Sequence, residues 1–248
     1  MTRIGVLISG GGTNLQALID AIEAGRIPDA RIVVVISNRK TAYGLERARA
    51  HGIPAECVLK KDFESEEAFN GAILERLKFY RVDLVVLAGY LSILSPEVVR
   101  AYPNRIINIH PSLIPAFCGK GFYGERVHRA VLDYGVKVTG ATVHFVDEGT
   151  DTGPIILQRP VEVRDDDDVH SLTARVLEVE HQLLPEAVRL FVEGRLVVEG
   201  RKVRILGGSE REHEKACYNQ RIGQNRHCRV CQGVKQYGGG DSIHRRDG

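Results

Sequence analysis

Apolar positions in the first hundred residues follow two alternating patterns. Nearly unbroken runs of Val, Ile and Leu at 4–9, 32–37, 83–88 and 105–109 have the signature of parallel strands covered on both faces. Between them, residues 14–24 place Leu15, Leu18, Ile19 and Ile22 on one side, and 66–80 do the same with Phe69, Ile73, Leu77 and Tyr80, the spacing of amphipathic helices. This alternation predicts an α/β fold: a doubly wound, mostly parallel open sheet with right-handed crossovers, whose ligands gather at the carboxyl ends of the strands.

After His110 the pattern changes. Residues 127–134 read as a helix, 138–146 and 155–163 as extended segments, and 171–191 as a long helix carrying Leu172, Val176, Val179, Leu183 and Val188 on one face. Residues 196–198 and 203–206 suggest a closing hairpin, so the C-terminal half adds antiparallel segments to the sheet. The acidic run 165–168 precedes the long helix, where its last Asp is placed to cap the helix and complement its dipole.

The pattern stops near 206. Residues 1–206 are therefore expected to form one domain, and 207–248 a polar tail with eight glycines and no sustained period, for which disorder is the expectation. The tail holds Cys217, Cys228 and Cys231 with His213 and His227 nearby. Its one Cys-x-x-Cys matches half of a zinc site and leaves the second half poorly formed.

Charge and composition narrow the function. The net charge of +2 is unevenly spread, because the tail holds eight Lys/Arg against five Asp/Glu and the body 26 against 27. No broad basic face of the kind nucleic acid requires is implied, and small-molecule substrates are expected instead. The first apolar run reaches Gly10 too soon for a signal peptide or a membrane span, and Cys57 and Cys118 stand isolated. A cytoplasmic protein with reduced thiols is expected, with no membrane partner.

Three constellations carry candidate chemistry. Ser9-Gly10-Gly11-Gly12-Thr13-Asn14 lies between the first strand and the first helix, where backbone N–H groups and the helix dipole suit an anion such as phosphate. It has neither a dinucleotide fingerprint nor the Gly-Lys-Ser/Thr of a nucleoside-triphosphate loop, and a plain packing turn is the competing reading. Asn108 and His110 share one face of a strand that Pro111 terminates, which sets a potential acid–base and a potential amide donor side by side at the sheet's carboxyl end. A histidine that merely closes the strand end is the alternative. The loop 147–154 carries Asp151, which gains a role only if it reaches His110 and orients or charges the imidazole.

Six stretches taken together resemble the glycinamide ribonucleotide formyltransferase family, folate-dependent enzymes of purine synthesis, over about residues 3–206. They are ISGGGTNLQALID, SNRKTAYGLERA, DLVVLAGYLSILSP, NIHPSLIPAF, VTGATVHFVDEGTDTGPII and TARVLEVEH. The resemblance implies the formyltransferase fold and transfer of a formyl group from 10-formyltetrahydrofolate to the amine of glycinamide ribonucleotide, through a tetrahedral intermediate and without a metal. It implies Asn108, His110 and Asp151 as the catalytic set, with His110 acting as an imidazolium kept charged by Asp151. Gly12, Thr13 and Asn14 would hold the substrate phosphate and Glu180 the riboside. Leu91, Ser92, Ile93 and Leu94 would form the folate side with Asp147, Glu148, Gly149 and Thr150, and His144 would play a supporting part.

The chain departs from that pattern in two places. Some family members have Arg where Ser92 and Glu66 stand, so the folate's anionic end is expected to be held differently, with Lys120 a candidate replacement charge. The stretch 117–124 is longer than the short family form and reads as a mobile, glycine-rich flap. Rival functions are a formyltetrahydrofolate hydrolase or another folate formyltransferase, a nucleotide-dependent oxidoreductase, and a non-catalytic ligand-binding module. Against the oxidoreductase, the end of the second strand carries Ser37-Asn38-Arg39-Lys40 in place of an acidic ribose-binding residue.

Overall fold

Nine strands form one sheet in a computed structural model that describes residues 1–207. In chain order the strands are β1 (Thr2–Ile8), β2 (Ala30–Ser37), β3 (Ala55–Cys57), β4 (Leu84–Leu87), β5 (Ile106–His110), β6 (Val138–Phe145), β7 (Ile155–Glu162), β8 (Leu196–Glu199) and β9 (Lys202–Ile205). The α-helices are α1 (Thr13–Glu23), α2 (Gly44–Ala50), α3 (Glu66–Phe79), α4 (Pro96–Ala101), α5 (Glu125–Tyr134) and α6 (Val169–Val192). Across the sheet the strand order is β3-β2-β1-β4-β5-β6-β7-β9-β8.

The first five strands are parallel, β6 turns antiparallel against β5, and β7 turns back against β6. This is the expected parallel sheet with antiparallel additions. The order reverses at β1, which has β2 on one side and β4 on the other, so the chain leaves the carboxyl ends of β1 and β4 in opposite directions and opens a crevice there.

Burial explains the layers. One apolar cluster joins Leu15, Leu18 and Ile19 of α1, Val127 and Val131 of α5, and Leu172, Val176 and Leu183 of α6 to Ile107 and Ile109 of β5. A second joins Phe69, Ile73 and Leu77 of α3 and Val98 of α4 to Ile106 on the other side of the sheet. Since side chains alternate along a strand, Asn108 and His110 emerge on the α3–α4 side while Ile107 and Ile109 pack beneath α6.

The periodic segments form where the apolar pattern places them, with ends displaced by a residue or two. The pattern does not reveal α2, α4 or β3, which span seven, six and three residues, too few to build a period. Asp168 caps α6 as expected, its carboxylate accepting the Ser171 N–H at 2.7 Å while the Ser171 hydroxyl accepts the Asp168 N–H at 3.0 Å. The tail's proposed disorder and its zinc half-site fall outside the described residues. No described helix is long and apolar enough to cross a membrane.

Candidate active site

β5 delivers the first two site residues. Asn108 pairs across the antiparallel ladder with His144 of β6, and its amide nitrogen lies 3.1 Å from His144 Nε2. The other ring nitrogen of His144, Nδ1, lies 2.8 Å from the Phe145 carbonyl, an acceptor only, so Nδ1 carries the proton and Nε2 accepts from the Asn108 amide. One N–H of Asn108 is thereby held, and the second is left for a ligand.

His110 is buried at the end of the strand. Its Nε2 lies 3.0 Å from the Phe117 carbonyl, which makes Nε2 the donor and leaves Nδ1 as the basic nitrogen. Asp151 faces that nitrogen, with Oδ2 at 3.7 Å from His110 Nδ1 and Oδ1 at 3.7 Å from His144 Nε2. The carboxylate therefore stands between two imidazoles. Asp151 also accepts the Gly119 N–H at 2.9 Å and holds a left-handed backbone at φ 57°, a conformation unusual for a residue with a side chain.

Electrostatics bear on the expected charge of His110. Burial is the largest influence on His110 and depresses its pKa; Asp151 and the Phe117 carbonyl oppose it without overcoming it, and His144 adds to the depression. The resting imidazole is therefore biased toward the neutral form, where the imidazolium was expected. For Asp151, burial alone would raise the pKa, but the flanking His144 and His110 rings and the Gly119 N–H together hold it below the usual carboxylate value.

A cavity of about 270 Å³ opens over these groups. Asn108, His110, His144 and Asp151 form its polar floor, and Leu91, Ser92, Ile93 and Leu94 form one wall, with Asp147, Gly149 and Thr150 at the loop side. The flap contributes Gly119, Lys120, Phe122 and Tyr123. Glu148 does not line the cavity and instead pairs with Arg100 at 3.3 Å. The start of the flap is tied down: the Ser112 hydroxyl donates to the Ala116 carbonyl at 2.6 Å and approaches that of Phe117 at 3.3 Å.

The glycine loop builds a second polar centre. Gly12 is the N-cap of α1 with φ 72°, and a Cβ there would stand 2.6 Å from Gly44 Cα, so both conformation and space demand glycine. Arg47 Nε donates to the Gly11 carbonyl at 2.9 Å and steadies the loop. Asn14 and Glu180 meet here, the Asn14 amide donating to Glu180 Oε2 at 2.6 Å, while Asn14 Oδ1 is buried with no hydrogen-bond partner among the described residues. Burial pushes the Glu180 carboxyl up to about 7 against the opposing Asn14 bond. An unsatisfied acceptor beside a carboxyl near its titration point suits a ligand that brings hydroxyl or amine donors.

In the sequence His144 has a supporting part by resemblance alone, and the β5–β6 register is what sets it opposite Asn108. The tasks of the Ser112, Ser9 and Asn38 side chains depend on the folded loops and are not legible in the sequence. Among the described residues no group of three or more His, Cys, Asp or Glu is arranged to hold a metal ion.

A cavity over Asn, His and Asp thus opens at the carboxyl end of a reversing parallel sheet, and the chain belongs to the formyl transferase family, whose family model matches residues 2–188. Its relatives are more particular. It is 43% identical over 196 residues to phosphoribosylglycinamide formyltransferase of Haemophilus influenzae, a match covering 79% of this chain and 90% of that protein. The crystal structure of glycinamide ribonucleotide transformylase 1 from Symbiobacterium toebii shares 56% identity and a TM-score of 0.79, covering 84% of this chain and 95% of that one. The trifunctional purine biosynthetic protein adenosine-3 of Drosophila melanogaster is 45% identical over 197 residues, 79% of this chain but only 14% of that longer protein.

Proposed function

We propose that this chain transfers the formyl group of 10-formyltetrahydrofolate to the amine of glycinamide ribonucleotide in purine synthesis. The observation that carries this reading is the convergence of Asn108, His110 and Asp151 on one cavity. The apolar wall 91–94 beside it suits the flat pterin and aromatic ring of a folate. The Gly12–Asn14 turn with Glu180 suits a phosphorylated riboside, with backbone N–H groups for the phosphate and buried acceptors for hydroxyls.

The chemistry follows from the charge states. The neutral amine attacks the formyl carbon, a C–N bond forms, and the carbonyl electron pair moves onto oxygen. The free N–H of Asn108 donates to that oxyanion. His110, resting neutral, takes the amine's proton at Nδ1 and becomes an imidazolium facing Asp151, so the favourable pair exists only once the intermediate has formed. Collapse of the intermediate breaks the bond to the folate nitrogen, and His110 returns the proton to that leaving group. No step uses a metal or a covalent enzyme intermediate.

Residues 1–206 carry this activity in our reading, acting on small molecules in the cytoplasm without nucleic-acid or membrane partners. The deciding experiment supplies purified protein with the formyl-folate and either glycinamide ribonucleotide or water as acceptor. Formylated product, lost in His110→Ala, is expected. Formate released at the same rate with or without the amine would replace this reading with a formyl-folate hydrolase.

A further inference from the structure

The residue at the end of β2 has a task of its own. In place of the carboxylate a dinucleotide-binding fold would carry there, the chain has Asn38, whose amide reaches across the sheet end. Its Nδ2 donates to Ser92 Oγ at 2.7 Å, and its Oδ1 accepts the Ser9 hydroxyl at 2.7 Å. Ser9 Oγ in turn accepts the Leu91 N–H at 2.8 Å, and the Ser9 N–H donates to the Gly89 carbonyl at 3.0 Å. The donors and acceptors run in one consistent direction: Leu91 N–H to Ser9 Oγ, Ser9 O–H to Asn38 Oδ1, Asn38 N–H to Ser92 Oγ. No other orientation of the amide lets the Ser9 hydroxyl donate to Asn38 while Ser9 accepts from the backbone.

This chain of bonds lies at the reversal between β1 and β4, and its two ends belong to different parts of the site. Ser9, 2% exposed, is the residue immediately before the glycine turn that leads into α1. Leu91 and Ser92 belong to the cavity wall opposite His110 and Asn108. That wall is an irregular stretch after β4 with Leu91 and Ile93 turned outward at 43% and 64% exposure, so apolar packing holds it at Tyr90 and Leu94 and leaves Leu91 and Ser92 to polar anchors. A further one, the Ser95 N–H donating to Asn70 Oδ1 at 3.0 Å, pins the far end of the stretch.

We propose that Asn38 is a positioning residue for the folate side of the cavity and that, through Ser9, it fastens the folate wall to the glycine turn that receives the other substrate. It does not touch the reacting atoms. Removing it loosens the wall and leaves the Asn108, His110 and Asp151 geometry in place. The inference rests on the proposed function and is tested apart from it.

The experiment compares wild type, Asn38→Ala, Ser92→Ala and the double variant in steady-state formyl transfer, with tetrahydrofolate binding measured directly by titration. Each single variant should raise the KM for the formyl-folate and weaken tetrahydrofolate about fivefold to tenfold, the size of one or two net hydrogen bonds, with kcat within about twofold. The double variant should be little worse than either single one, because both cut the same chain. The glycinamide ribonucleotide KM should rise less than the folate KM. Unchanged folate KM and unchanged tetrahydrofolate affinity, or strictly multiplicative losses, would overturn the inference. Asn38→Leu, close in size and without either bond, keeps the test open if Asn38→Ala fails to fold, since Asn38 itself does not line the cavity. Wild type that turns over normally while the variants show no folate effect refutes only this inference; wild type that transfers no formyl group to the amine refutes the functional reading, and the tetrahydrofolate titration then still decides whether Asn38 shapes the wall.

Discussion

Asn108 and His144 face each other as paired residues of β5 and β6, and the ring of His144 holds one N–H of the Asn108 amide at 3.1 Å. Because His144 Nδ1 is committed to the Phe145 carbonyl, the ring has one orientation and one acceptor to offer. It fixes which end of the Asn108 amide faces which way, and an oxyanion donor is useful only if it is aimed before charge develops. We expect His144→Ala to lower kcat by about tenfold to a hundredfold with KM values near normal. The variant Asn108→Ala/His144→Ala should be no slower than Asn108→Ala by more than about threefold, since an absent amide needs no aiming. Rapid-quench or steady-state kinetics on the three variants would show it, and multiplicative losses would disprove the link.

The depressed pKa of His110 makes a pH prediction. A base must be unprotonated to accept the amine's proton, so kcat should fall on the acid side with a midpoint below the ordinary 6.5 of histidine. Asp151 is the main influence raising the His110 value, so Asp151→Asn should move that midpoint to still lower pH. The same change should cost about a hundredfold in kcat at pH 7.5, because the imidazolium formed during reaction loses its counter-charge. The two shifts are opposite in their appeal to intuition, a slower enzyme that tolerates more acid. A kcat profile between pH 4.5 and 9 whose acid limb moves upward in Asp151→Asn would contradict the assignment of His110 as the base.

On the proposed function, Glu180 couples substrate recognition to stability. Its carboxyl titrates near 7 in the fold against an ordinary 4.5, so the native state holds the proton more tightly than the unfolded chain. For an acid with a raised folded value the penalty is absent below about 4.5, grows as pH rises, and levels off above about 7, reaching on the order of 3 kcal/mol. Glu180→Gln keeps an acceptor for Asn14 and removes the charge, so it should stabilise the protein at pH 8 and much less at pH 5. Glycinamide ribonucleotide affinity should fall in the same variant. Urea unfolding at the two pH values is the measurement, and an equal gain at both would show that Glu180 is not the titrating group.

The polar centres were legible in proportion to how local they are. Asn108 and His110 are two apart on a strand that a proline ends, so a shared face and a place at the sheet edge follow from period alone. The Gly-Gly-Gly-Thr-Asn turn stands out because three glycines lie between a strand and a helix, although the same residues also suit a plain packing turn. Asp151 lies 41 positions from His110 in sequence, and only the β5–β6–β7 path brings it within 3.7 Å; its part was readable from family resemblance and from nothing in its surroundings. The resting charge of His110 is hard to read from sequence for a related reason. A neighbouring carboxylate can be inferred from a motif, whereas the depth of burial that outweighs it is a property of the assembled layers. The Ser9–Asn38–Ser92 chain was invisible because its members come from three strand ends that meet only at the reversal of the sheet.

Gly12 offers the sharpest separation of the two substrate sides. Its φ of 72° lies in the left-handed region, where a side chain costs about 1–2 kcal/mol, and a Cβ would stand 2.6 Å from the Cα of Gly44. That neighbour is backbone at the start of α2, so it cannot rotate away as a flexible side chain would. The strain must be relieved by moving the turn, and the turn's N–H groups are those proposed to meet the phosphate. Gly12→Ala should therefore lower stability by about 2 kcal/mol or more and raise the glycinamide ribonucleotide KM at least tenfold. The folate KM should stay within about twofold, since the cavity wall at 91–94 is fastened through Ser9 and Asn38, upstream of the glycine that moves. Thermal unfolding and the two KM values, measured on one preparation at a temperature where the variant is folded, separate the outcomes. Equal rises in both KM values would mean that the turn supports the whole crevice and does not single out the phosphorylated substrate.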